Sequence, residues 1–103
     1  MALTLEGYPE ITGEEIGKAL DFCSRQILHV LPEFTTAFQN AFSENGFYRP
    51  VPNEDWTNGF WTGEIWLAYE YSGDERLKKA GEIQIHDFLE RIEKKHKVDH
   101  HDM

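Results

Sequence analysis

Asn58-Gly59-Phe60-Trp61-Thr62-Gly63-Glu64-Ile65-Trp66-Leu67-Ala68-Tyr69-Glu70-Tyr71 is the stretch whose reading decides the fold. Phe60, Trp61, Ile65, Trp66, Leu67 and Tyr69 spread nearly all round a helix of 3.6-residue period, whereas a surface helix gathers its apolar residues on one face. Such a helix must be buried on several sides. Ser72-Gly73 is its expected stop, with Gly73 supplying the left-handed residue after the last turn. The remaining helices offer too little apolar surface to cover it, so it reads as an inner helix of something larger.

Working outward, Asp74 is placed to cap a following helix that carries Leu77, Gly81, Ile85, Phe88, Leu89 and Ile92 on one face. Arg91, Lys94 and Lys95 in its last turns suit the negative end of the helix dipole. On the other side, residues 43–56 hold Asn45-Gly46, Pro50 and Pro52 and read as a long loop, of the kind that often carries function. Before it, Phe34, Phe38 and Phe42 recur at a spacing of four and predict a short helical piece. Thr12 and Glu15 fit a capping box, followed by an apolar stripe of Ile16, Leu20, Cys23, Ile27 and Leu31. That helix is expected to run to about Leu31, with Pro32 kinking or ending it. Residues 1–11 are an irregular lead-in. No strand-like alternation and no internal repeat are evident, so the expected class is all-α, built as antiparallel helical hairpins.

A chain of 103 residues has room for one domain with a modest core. Its 40% hydrophobic and 14% aromatic content is that of a folding sequence. Nineteen acidic against ten basic side chains give a net charge of -9, which argues against nucleic acid and against anionic membrane surfaces. No apolar run is long enough to span a bilayer. The N-terminus lacks the basic and apolar regions of a secretory signal, and a lone Cys23 agrees with a reducing compartment, so a cytoplasmic location is expected. Cys23, on the apolar stripe, is expected to be a small buried hydrophobe.

Two segments can carry chemistry. Trp56 follows Glu54 and Asp55 just before the apolar helix; an indole there can stack on a sugar ring while Asp55 or Asn58 bonds its hydroxyls. The alternative is that Trp56, Phe60, Trp61 and Trp66 all pack the core, with Trp56 the exception because it precedes the helix. The second segment is Asp99-His100-His101-Asp102-Met103, dense in proton-transfer groups. It is open to three readings: a general acid or base, a metal site with His96, or a solvated tail. Ligands crowded into one chain end make poor zinc geometry, so no metal or cofactor is expected. His86, Asp87 and Glu90 read as a polar outer helix face, and His29 as a residue near a helix C-terminus.

Taken together, Asp55-Trp56-Thr57-Asn58-Gly59-Phe60-Trp61-Thr62-Gly63, the run Ile65–Tyr71 with Gly73-Asp74-Glu75, and Asp99-His100-His101-Asp102 resemble successive signatures of the unsaturated glucuronyl hydrolases, glycoside hydrolase family 88. The resemblance covers most of the chain but about the first quarter of the family's length, and residues 1–50 contribute no motif to it. It implies the N-terminal part of an (α/α)6 toroid of six helical hairpins, and residues 1–103 as a single incomplete domain.

The activity it implies is release of a 4,5-unsaturated uronic acid from lyase-generated oligosaccharides. An Asp protonates C4 of the vinyl ether while water attacks C5, and the resulting hemiketal opens to free the neighbouring sugar. By the resemblance, Asp102 is an Asp that assists catalysis, His101 contacts substrate, and Trp56 packs on the unsaturated sugar. The principal acid and base, with the Arg, Gln and Trp that complete the pocket, belong to later parts of the family's chain. The isolated chain is therefore expected to be inactive and to self-associate through apolar helix faces meant for neighbours. A non-catalytic helical interaction module and a portion of a related unsaturated rhamnogalacturonyl hydrolase are the alternatives.

Overall fold

The computed structural model describes Gly7 and residues 9–99. Its elements are α1 (Gly13–Phe34), β1 (Phe38–Glu44), β2 (Phe47–Val51), α2 (Asn58–Ser72) and α3 (Glu75–Glu93). The helix ends are set locally. Thr12 accepts the Glu15 amide at 3.2 Å, as a capping residue should. Gly73 takes the left-handed conformation (φ 71°) and returns its N–H to the Tyr69 carbonyl, closing α2. Asp74 then caps α3 by accepting the Arg76 amide and pairs with the Arg76 guanidinium at 2.6 Å, which lowers its pKa. With Gly73 and Asp74 as the whole connection, α2 and α3 form a helical hairpin.

Two expectations change around α1. The helix does not stop at Leu31 but runs through Pro32 to Phe34. Its last turn is held from outside: Thr35 Oγ1 donates to the Leu31 carbonyl at 2.6 Å, and the Phe34 carbonyl accepts from both Trp61 Nε1 and Gln84 Nε2 at 2.8 Å. Beyond it, the helical piece expected from Phe34, Phe38 and Phe42 is a β-hairpin. A spacing of four keeps residues on one face of a strand as well as of a helix, so the phenylalanines could not discriminate. Asn45-Gly46 does discriminate, because both residues are left-handed (φ 52° and 81°), as a two-residue hairpin turn requires. β1 pairs antiparallel with β2, Glu44 opposite Phe47 and Ser43 opposite Tyr48 beside the turn, Phe38 opposite Val51 at the far end. Between Gln39, paired with Pro50, and Ser43, the ladder is interrupted by a bulge.

The core is Leu31, Phe34, Phe38, Trp61, Ile65, Ala68, Leu77 and Ala80. Phe38 is fully buried with its ring edge-on to Phe88 at 5.7 Å, so the base of the hairpin is clamped to α3. α2 buries one face only; Phe60 and Leu67 on its other sides are each 66% exposed. The stripe on α1 is likewise half covered. Leu31 is buried, but Leu20 and Cys23 open onto a groove of about 390 Å³ between α1 and α2, so Cys23 is an exposed thiol and not a buried hydrophobe. Glu64 lines that groove, and the desolvation it meets there raises its pKa. On α3 the buried line runs through Leu77, Gln84 and Arg91, a heptad apart, while Ile85, Leu89 and Ile92 stay exposed. Polar side chains occupy that line because distant backbone groups meet them there.

The Trp66 side chain of α2 packs directly on the α3 backbone at Gly81. A Cβ built on it would lie 2.6 Å from Trp66 Cε2, inside contact distance of the indole. Gly81→Ala is therefore expected to displace Trp66 and lower stability by about 1–3 kcal/mol, read as a fall in the urea midpoint. Glu64→Gln should act in the opposite direction and depend on pH. A carboxyl whose pKa is raised by folding weakens the fold once it ionises, as pH rises through the unfolded and then the folded value. The substitution should raise the melting temperature at pH 7 and leave it unchanged at pH 3, as followed by circular dichroism.

Candidate functional site

The tryptophans divide into two roles. Trp61 is 7% exposed and donates to the Phe34 carbonyl, and Trp66 packs on Gly81, so both are structural. Trp56, on the turn leading into α2, is 58% exposed and packs edge-to-face with Phe60, ring centres 6.0 Å apart. The pair is an open aromatic surface at the N-terminal end of α2, the shape that stacks on a planar or ring-shaped ligand. Asn58 does not fit its expected part as a hydroxyl partner. It is 2% exposed and turned inward, its Nδ2 donating to Asn53 Oδ1 at 3.0 Å.

The loop under Trp56 is held by Arg91. Sequence position assigned this residue to the charged end of α3, but its side chain is buried, at 3% exposure. From there Nη1 donates to Asn53 Oδ1 at 3.0 Å and to the Asp55 carbonyl at 3.2 Å. Nε and Nη2 reach the other way, to the carbonyls of His96 (3.2 Å) and Lys97 (2.6 Å). One rigid guanidinium therefore joins the loop before α2 to the turn after α3. That turn is strained: Lys95 and Lys97 are left-handed (φ 52° and 49°), which costs on the order of 1 kcal/mol each without glycine. Glu54 adds an outer layer, 3.1 Å from His96 Nε2 and 3.8 Å from Lys97 Nζ. Asn53 Nδ2 and Asn58 Oδ1 are buried beside the guanidinium with no partner among the described residues. The signal for Arg91 was present in the sequence as the heptad from Leu77 and Gln84.

The turn leads within two residues to Asp99, which is exposed. His100, His101 and Asp102, the remainder of the proton-transfer segment, lie outside the described residues. His96, weighed as a metal ligand with them, faces Glu54 instead, and no three His, Cys, Asp or Glu side chains converge among the described residues. His86 and His29 are exposed, and Glu90 pairs with Lys94 at 3.8 Å, in keeping with a polar outer face on α3. No helix among the described residues is long and apolar enough to cross a membrane.

No family model matches the chain. Individual relatives do. The unsaturated chondroitin disaccharide hydrolase of Streptococcus pneumoniae is 41% identical over 95 residues, covering 92% of this chain and 24% of that protein. The unsaturated glucuronyl hydrolase of a Bacillus strain is 36% identical over 90 residues, 87% of this chain and 23% of that protein. Among solved structures, the unsaturated glucuronyl hydrolase of Streptococcus agalactiae aligns over 97% of this chain and 28% of its own, at a TM-score of 0.86 and 32% identity. The chain thus spans about a quarter of the length of the relatives it matches. Its three helices follow the helical toroid of those enzymes, as the all-α reading expected, and the small β-hairpin lies between the first two. Through sequence and fold together, the chain belongs to the unsaturated glucuronyl hydrolase family.

Proposed function

We propose that the chain is the N-terminal portion of a hydrolase that removes a 4,5-unsaturated uronic acid from the non-reducing end of an oligosaccharide. The observation that carries this is the open Trp56–Phe60 pair, its indole borne on a loop that Arg91 anchors, in a chain 41% identical to a hydrolase of unsaturated chondroitin disaccharide. A uronide ring stacks on the indole through its apolar face, which leaves its hydroxyls and carboxylate to polar groups. In this reading His101 contacts the substrate and Asp102 assists proton delivery. The proton goes to C4, the water oxygen to C5, and the hemiketal that results expels the neighbouring sugar as it opens.

The rest of the site lies in the part of the family's length that this chain does not span, so the chain by itself does not turn substrate over. Its open apolar surfaces, Phe60 and Leu67 on α2 with Leu89 and Ile92 on α3, fit docking against the remainder of a toroid. When that remainder is missing, the same surfaces favour self-association. A reducing, cytoplasmic setting suits the single exposed thiol of Cys23.

The test is a chimera in which this chain replaces the matching quarter of the Streptococcus pneumoniae relative. The chimera should remove the double-bond ultraviolet absorbance of an unsaturated uronyl disaccharide, and the chain alone should not. Trp56→Ala in the chimera should raise KM roughly fivefold to tenfold, as loss of an aromatic contact worth about 1 kcal/mol would, with a smaller change in kcat. A folded but inactive chimera would overturn the reading.

A further inference from the structure

We propose that Arg91 is the positioning residue of this site, setting the loop that bears Trp56 and the turn that enters the Asp99–Asp102 segment from one buried point. The proposal deepens the functional reading above and rests on it for the roles of Trp56 and Asp102. Three observations carry it. First, the guanidinium donates to both segments: to Asn53 and Asp55 on one side, and to His96 and Lys97 on the other. Both segments lack regular structure, and the backbone ties they do have are short-range. The His96 N–H donates to the Arg91 carbonyl and the Lys95 N–H to the Ile92 carbonyl on one side, the Asn58 N–H to the Asp55 carbonyl on the other. None of these joins one segment to the other. Secondly, the acceptors on the second side lie in a turn with two left-handed lysines, a conformation that persists only where its surroundings hold it. Thirdly, Arg91 grows from the same line of α3 as Leu77 and Gln84, both fully buried, so its own backbone is part of the rigid core.

The chemistry explains why arginine is needed. Two segments approach from opposite directions, and a planar fork with donors on both sides can serve both at once. An ammonium at the same place reaches one side or the other. Arg91 touches no reacting atom in this account. It acts through Trp56 and through the chain that continues to Asp102, so it should influence binding and turnover together.

Hydrogen exchange of the chain tests the positioning directly. In Arg91→Met, amides of residues 53–58 and 96–99 should exchange at least tenfold faster, while those of α1 and of α2 beyond its first turn keep their rates. Arg91→Lys should fall between Met and the unmodified chain, and should restore one of the two segments more than the other. Leu77→Ala, which weakens the core without touching the guanidinium, should instead raise exchange across all three helices. A uniform rise in Arg91→Met, or no rise at the two segments, overturns the proposal and leaves Arg91 a packing residue.

The functional arm uses the chimera and the unsaturated uronyl disaccharide. Arg91→Lys should raise KM and lower kcat, each at least threefold, whereas Trp56→Ala acts mainly on KM. Unchanged kinetic constants in Arg91→Lys, with both segments loosened, overturn its part in the site. An inactive chimera with Arg91 intact would instead sink the hydrolase reading, while the exchange rates still decide whether Arg91 fixes the two segments.

Discussion

The carbonyl of Phe34 is the point on which the rest of the structure depends. It is one of the last carbonyls of α1, which have no partner within their own helix. Trp61 of α2 and Gln84 of α3 both donate to it at 2.8 Å, and the other end of the Gln84 amide accepts from Thr62 Oγ1 at 2.6 Å. Three helices thus converge on one atom. A fully buried glutamine is costly when any of its groups goes unmet, and here both ends are satisfied, so the arrangement tolerates few alternatives. It also decides where the hairpin starts. Phe38 comes four residues after Phe34 and drops into the core against Phe88.

Seven residues further along α3, about 10 Å by helical rise, Arg91 repeats the same logic with different cargo. Gln84 secures the end of a helix; Arg91 secures two stretches of chain that have no regular hydrogen bonding of their own. α3 therefore serves as a spine whose buried line passes from apolar contact at Leu77 to polar anchorage at Gln84 and Arg91. An open aromatic such as Trp56 gains its usefulness from that arrangement. A stacking platform on a loose loop pays the entropy of ordering the loop each time a ligand arrives, and an anchored one has settled that cost in folding.

Much of this was legible in the sequence, and the omissions share a cause. The ends of α1, α2 and α3 at Thr12, Gly73 and Asp74 are local chemistry, decided within three or four residues, and they read correctly. The separation of Trp56 from the tryptophans of α2 also followed from local position. Gln84 and Arg91 share a heptad with Leu77, but a polar residue on a helix ordinarily reads as facing water. The acceptors that draw them inward, at Phe34, Asn53 and Asp55, lie 50, 38 and 36 residues away. The hairpin was missed where the phenylalanine spacing suited helix and strand alike, although Asn45-Gly46 signalled the turn. Cys23 was misplaced because a regular apolar stripe says which side of α1 is greasy, not how much of its length a neighbour covers. The family resemblance rested on residues 55–75 and 99–102; the comparisons support the family, while the roles of His101 and Asp102 belong to the proposal.

The hairpin has one further consequence. Two strands alone leave two open edges, and such edges can template the backbone of another molecule into a growing sheet. Phe42 and Phe47, each 78% exposed near the tip, would make this one adhesive. Its backbone works against that. Pro50 deletes a donor from β2, and the irregular register between Gln39 and Ser43 bends β1 out of even spacing. A second copy finds no continuous ladder to extend, so fibrillar stacking is discouraged even though the tip is greasy.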